Sequence, residues 1–255
     1  MSRRVRVTIP HETLSAAIFF RETNAGGIMK FDFRRQMTRP KTAAERRVRL
    51  SKILEGLDTL YPNVSCALHH SSAWELLVAT ILSAQCTDVR VNMVTPALFE
   101  KYPTIEDYAA TAPEVLAQDI RSTGFFNNKA KSITGAARRI LNEFGGQVPT
   151  NMEDLLTVPG AARKTANVVL GTAFGIASGV VVDTHVHRIS RRLDLTRQDT
   201  PEKIERDLMK ILPQHRWINF AHQIIHLGRG PCVARKPKCW ECGLNGVCYA
   251  KDKAA

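Results

Sequence analysis

Lys164 ends the run Leu155-Leu156-Thr157-Val158-Pro159-Gly160-Ala161-Ala162-Arg163-Lys164, and Asp183 stands nineteen residues further on in Val182-Asp183-Thr184-His185. An amine and a carboxylate are the pair that covalent displacement at carbon needs. One attacks, and the other moves a proton or steadies developing positive charge. The lysine falls in the first turn of an expected helix, where the dipole disfavours an ammonium and so favours the neutral, nucleophilic amine. Each residue also has a plainer role, the lysine as a phosphate contact and the aspartate as a helix N-cap.

Four thiols crowd into seventeen residues as Cys232-x6-Cys239-x2-Cys242-x5-Cys248, with Pro231 before them and Gly243 and Gly246 among them. Thiolates this close want a metal. Zinc sites are usually built from paired short knuckles, and only one C-x2-C pair occurs, so an iron–sulfur cluster leads while tetrahedral zinc stays open. Arg235, Lys236 and Lys238 lie between the first two thiols and make that loop basic, able to meet phosphates. Cys66 and Cys86 stand alone, a distribution unlike a secreted disulfide framework and in keeping with a reducing cytoplasm.

The elements that must position these groups read as helices. Around Lys164 the pattern is helix, tight Pro159-Gly160 turn, helix: a helix–hairpin–helix. Small turn residues let the backbone approach a phosphate, and the unpaired amides and positive dipole end of the second helix bind the anion. Gly160, Ala162, Arg163 and Thr165 are the expected contacts, with Ala162 already at helical angles. An ordinary helix–turn–helix connection has the same local look.

Upstream, Leu50, Ile53, Leu54 and Leu57 recur at helical spacing, and Ala73 to Leu82 is apolar on nearly every face, which suits a helix at the centre of a core. Start signals stand at Ser72 with Glu75, Thr111 with Glu114 and Thr150 with Glu153; Gly145-Gly146, Gly175 and Gly228 are expected stops. Strand signals are confined to Val180–Val182 and, weakly, Val5–Ile9. The expected class is all-α. Residues 1–42 are Arg-rich and lack sustained helical periodicity, reading as a basic tail, disordered or the product of a start placed upstream of Met37.

Composition narrows the partners. Thirty-six Lys and Arg against 24 Asp and Glu give a net charge of +12, the footprint of a polyanion binder, with nucleic acid first and ribosomal or membrane-surface binding sharing the signature. With 44% hydrophobic residues, 255 residues can bury one large core or two smaller ones. No apolar run is long enough for a membrane span, and Leu14–Phe20 is short and flanked by Glu12, Arg21 and Glu22, so neither a span nor a signal peptide is expected.

Ser83-Ala84-Gln85-Cys86-Thr87-Asp88, the hairpin from Val158 to Leu170, Val182 to His185 and the four cysteines, in this order, resemble the endonuclease III family of DNA glycosylases across about residues 43–249. The resemblance implies a two-domain fold. Residues 66–176 would form a six-helix domain with the hairpin, and residues 43–65 with 177–255 a second helical domain holding one 4Fe–4S cluster on Cys232, Cys239, Cys242 and Cys248.

It further implies a base-excision repair enzyme that removes oxidised pyrimidines from damaged double-stranded DNA. Lys164 would attack the sugar with help from Asp183, form a Schiff base, and cut the strand 3′ to the abasic site by β-elimination. Gln85 matches the residue that fills the gap left by the extruded base, Phe125 the apolar wedge facing it, and His185 a neighbour of the lesion. The protein is expected to be a monomer, cytoplasmic and nucleoid-associated if bacterial. Two departures stand out: Ala162 where the family usually has a second hairpin glycine, and Phe125 where leucine is common. The adenine-mismatch glycosylase branch shares hairpin and cluster, but there a small residue usually replaces the lysine. From another class, a non-enzymatic zinc-containing DNA-binding protein would give a colourless preparation.

Overall fold

The computed structural model describes residues 38–253. Eleven α-helices run through them: α1 (Ala43–Leu60), α2 (Ala73–Leu82), α3 (Asp88–Lys101), α4 (Ile105–Ala110), α5 (Pro113–Asp119), α6 (Phe126–Phe144), α7 (Met152–Thr157), α8 (Arg163–Phe174), α9 (Thr184–Arg192), α10 (Pro201–Ile211) and α11 (Trp217–Arg229). No strand occurs among the described residues. Val180–Val182 forms no strand, and its β-branched character serves burial instead, since Val180 and Val182 both enter a core. Val5–Ile9 and most of the expected tail lie outside the described residues.

Two hydrophobic cores organise the helices. One gathers buried side chains from Leu68 to Leu170, with α2 at its heart: Trp74 and all of Leu76 to Leu82 are buried, as an element apolar on every face requires. The other takes Ile53 and Leu57 from α1 together with residues from Val180 to Val247, so the helix that opens the described chain packs with the C-terminal part. Each fully buried Ile or Leu contributes about 1.5–3 kcal/mol. Arg49 on α1 fastens that second core by donating to the carbonyls of Val247 and Leu193 while lying 4.4 Å from the centre of the Tyr249 ring.

Local start signals hold where a side chain reaches the right amide. Ser72 caps α2 as expected, accepting from the Glu75 amide, but Glu75 reaches back to Ser71, so the box is displaced by one residue. Asn151 rather than Thr150 caps α7, and Thr111 ends α4 by donating to the Asp107 carbonyl while α5 starts at Pro113 without a side-chain cap. Full capping boxes form at Thr42 with Glu45 and at Thr104 with Asp107. Gly145 and Gly175 take left-handed angles that end α6 and α8. Gly228 is no stop: it sits inside α11, where a Cβ would lie 2.4 Å from His185 Nδ1.

Candidate active site

The hairpin is α7, a turn at Val158–Ala161, and α8. Gly160 has φ +81, and a Cβ there would stand 3.0 Å from both the Ile81 and Ser132 side chains, so both angle and space call for glycine. Ala162 differs from its expected helical geometry. It is the N-cap of α8, extended at φ −63 and ψ 165, because the turn must deliver the chain into the helix from outside. Alanine offers no capping oxygen, and the amides of Arg163, Lys164 and Thr165 have no acceptor among the described residues. An uncapped helix start presents free donors and a positive dipole end to solvent.

Lys164 is exposed in the first turn of α8. Asp183 caps α9, its Oδ1 accepting from the amides of His185 (2.9 Å) and Val186 (2.7 Å). Its other oxygen has no partner among the described residues. The cap role and a second role are therefore compatible. Lys164 and Asp183 line one cavity of about 130 Å³, walled further by Cys66, Ser83, Gly171, Ile218 and His222. Asp88 and Arg229 form an ion pair on the same cavity. Burial and neighbouring cations lower the His222 and His185 imidazoles below their ordinary value, though Asp183 opposes this at His185. Arg188 donates to His185 Nδ1 at 3.2 Å, which fixes that nitrogen as an acceptor.

A polar network that sequence reading missed spans the two cores between the lysine and the aspartate. Arg163, expected to face phosphate, instead forks onto Glu205 of α10, with Nε–Oε2 at 2.7 Å and Nη2–Oε1 at 3.1 Å. This carboxylate raises the guanidinium's proton affinity. Asn167 donates to Glu205 Oε1 at 2.9 Å and accepts from Ser178 at 2.9 Å. Gly179 lies against them so closely that a Cβ would be 2.1 Å from Glu205 Oε1. The network ties α8, which carries Lys164, to the segment that leads into Asp183.

Gln85 and Phe125 are both exposed, and both hold left-handed backbone, φ 54 and φ 48. Left-handed angles cost a side-chain-bearing residue roughly 1–2 kcal/mol. Such strain gathers where a chain must present a residue in one direction.

The four cysteines of the C-terminal loop are unbridged and line one small cavity with Arg192, Pro237 and Asn245. Among the described residues no three His, Cys, Asp or Glu side chains are grouped to hold a single metal ion. Four cysteine thiols gathered on one cavity are the donor set that a 4Fe–4S cluster takes. Burial pushes the Cys242 thiol up to about 11 and raises Cys248, so cationic iron is what would make them thiolates. Arg192 of α9 supports the loop, donating to Val233 O (2.8 Å), Ala234 O (3.0 Å) and Cys232 Sγ (3.4 Å). Arg235, Lys236 and Lys238 stay exposed on it, Lys236 at φ 52 and Lys238 paired with Glu241 at 3.6 Å.

Comparison with known proteins agrees with this architecture. The HhH-GPD superfamily of base excision DNA repair proteins matches residues 78–214, and the iron–sulfur binding domain of endonuclease III matches residues 232–248. An endonuclease III of Synechocystis sp. is 56% identical over 205 residues, covering 80% of this chain and 94% of that protein. One of Bacillus subtilis is 44% identical over 201 residues, covering 78% and 91%. The solved structure of a trapped endonuclease III–DNA covalent intermediate, an estranged-adenine complex, matches with a TM-score of 0.76 at 42% identity, over 80% of this chain and 95% of that one.

Fold and site thus define a helix–hairpin–helix protein of base-excision DNA repair. The chain belongs to the endonuclease III family. It is accordingly a DNA glycosylase with abasic-site lyase activity, and it carries a 4Fe–4S cluster.

Proposed function

We propose that the protein acts as a monomer on damaged duplex DNA, excising oxidised pyrimidines through Lys164. The reading rests on one observation above all: Lys164 and Asp183, at the starts of helices that pack into different cores, line the same cavity beside an uncapped helix start. The amides of Arg163, Lys164 and Thr165, approached over Gly160 and Ala162, would hold a backbone phosphate. Arg235, Lys236 and Lys238 would meet another stretch of the strand. Arg163 itself, engaged by Glu205, orients the start of α8.

With the damaged base in the cavity, Lys164 Nζ forms a bond to the anomeric carbon as the bond from that carbon to the base breaks, and the base departs with the electron pair. The free oxygen of Asp183 steadies positive charge on the sugar and takes a proton from the attacking amine. Ring opening gives the Schiff base, an electron sink. Loss of a proton from the adjacent carbon then expels the 3′ phosphate by β-elimination. A solved relative was trapped as a covalent DNA intermediate, which supports this route. Gln85 would occupy the space left by the base and Phe125 would wedge the opposite side, with His185 near the lesion. Cys232, Cys239, Cys242 and Cys248 would hold the cluster, which would cross-link the loop they span. The setting proposed is the reducing cytoplasm, at the nucleoid in a bacterium.

The test compares duplexes carrying thymine glycol, an abasic site or only normal bases. Cleavage of the first two and not the third is expected, with Asp183→Asn retaining lesion binding but turning over far more slowly. Equal action on undamaged duplex, or full turnover by Asp183→Asn, would overturn the reading.

A further inference from the structure

Lys129 occupies a register position where its side chain has to be buried. With Ile133, Ala136 and Ile140 it forms the i, i+4, i+7, i+11 stripe of α6, and all four are buried, Lys129 to 5% exposure. A lone ammonium in such a place is costly unless it is fully hydrogen-bonded. Its Nζ donates to the Leu82 carbonyl at 2.7 Å and to the Thr123 carbonyl at 2.8 Å. Leu82 ends α2 three residues before Gln85; Thr123 stands two residues before Phe125. One buried cation thus ties together the roots of two loops that are far apart in sequence, and each loop tip is an exposed residue on left-handed backbone. Phe125 is tied to the same helix by its own carbonyl, which accepts from the Asn128 and Lys129 amides, both at 3.1 Å.

We infer that Lys129 is a positioning residue that locks the Gln85 and Phe125 loops to one another, so that both enter the DNA stack as a single preset clamp. The inference rests on the proposed roles of Gln85 and Phe125 and adds the device that couples them. Two strained loops held separately would each have to be ordered when DNA binds. Joined through one ammonium, they are ordered in advance, and that cost is removed from the encounter. Burial lowers the proton affinity of Lys129, and among the described residues its ammonium is held by two carbonyls and no carboxylate.

The test is Lys129→Met, which keeps the length and apolar stem and removes the donors. Its cleavage of an abasic site in duplex DNA is expected to fall about tenfold or more, in keeping with the loss of both charge-assisted hydrogen bonds that Nζ makes. Cleavage of the same site in single-stranded DNA, where there is no partner strand to prise open, should fall much less. A fluorescent 2-aminopurine opposite the lesion should show slower or smaller unstacking with the variant. In a Gln85→Ala/Phe125→Ala background the further effect of Lys129→Met should vanish.

Equal losses on duplex and single strand would show a merely structural lysine and overturn the inference. So would full additivity with the double loop variant. If Gln85→Ala/Phe125→Ala itself leaves duplex cleavage and 2-aminopurine unstacking unchanged, the proposed loop roles fail instead. Should Lys129→Met not give soluble, cluster-bearing protein, Lys129→Gln, which retains a donor, is expected to show the same duplex-selective loss at smaller amplitude, and its absence would count equally against the clamp.

Discussion

Glu205→Gln tests whether the network between the two cores sets the geometry of Lys164 and Asp183. The carboxylate is 6% exposed and accepts three hydrogen bonds, two from Arg163 and one from Asn167. Glutamine preserves the shape but turns one acceptor into a donor facing a guanidinium that can only donate. Breaking one side of a buried pair costs about 3–5 kcal/mol. Arg163 is 44% exposed and can be rehydrated, and the glutamine oxygen still accepts, so a figure of about 1.5–2.5 kcal/mol is appropriate. At roughly 2–4 °C per kcal/mol for a chain of this size, the melting midpoint should fall by about 3–10 °C. Lyase turnover should fall at least about tenfold while the cluster absorption persists, since small misplacement of reacting groups is enough to slow chemistry. Gly179→Ala, whose methyl would collide with the same carboxylate, should reproduce both effects. A midpoint within about 1 °C of wild type, or normal turnover despite a lowered midpoint, would show that the network does not position the site.

Ala162→Gly should tighten binding to lesion duplex about two- to fivefold, by baring the amides of α8, as fluorescence anisotropy at fixed salt would read. Its melting midpoint should barely move: glycine is the better N-cap by about 1 kcal/mol, and the freer unfolded chain offsets this by a similar amount. Because His222 and His185 are lowered from the ordinary 6.5, their contribution to stability is present above that value and is lost as pH falls through the depressed ones. Denaturation between about pH 7.5 and 5 should therefore show a loss of stability on acidification that is smaller in His222→Gln. A chain beginning at Met37 keeps the Thr42–Glu45 box and the 2.8 Å bond from Tyr249 to the Thr38 carbonyl, so it should fold, bind its cluster and cleave, with at most a weaker salt-dependent affinity. Failure to recover soluble, coloured protein would place the removed segment within the fold.

What the sequence made legible was whatever is encoded by residue type at short range. The apolar run of α2, the Pro159-Gly160 turn, the left-handed stops at Gly145 and Gly175 and the crowded thiols each express a local physical demand. Caps were legible only to within a residue, because Thr150 and Asn151 can both serve and the choice depends on the approach of the preceding chain. Ala162 misleads for a related reason, since helix propensity says nothing about where the first helical residue falls. The Arg163–Glu205–Asn167–Ser178 network was not readable: its partners lie up to 42 residues apart and look like ordinary surface polar residues. Lys129 left a trace, as a charge placed in the apolar stripe of α6. Gly228 reads as punctuation until His185 is seen against it.

The central claim, that Lys164 forms the covalent bond to DNA, is tested most directly by borohydride trapping on a duplex with one thymine glycol. The wild-type protein should give a reduced adduct of enzyme plus strand, and Lys164→Gln, folded and coloured, should give none. An adduct of wild-type yield from Lys164→Gln would contradict the account.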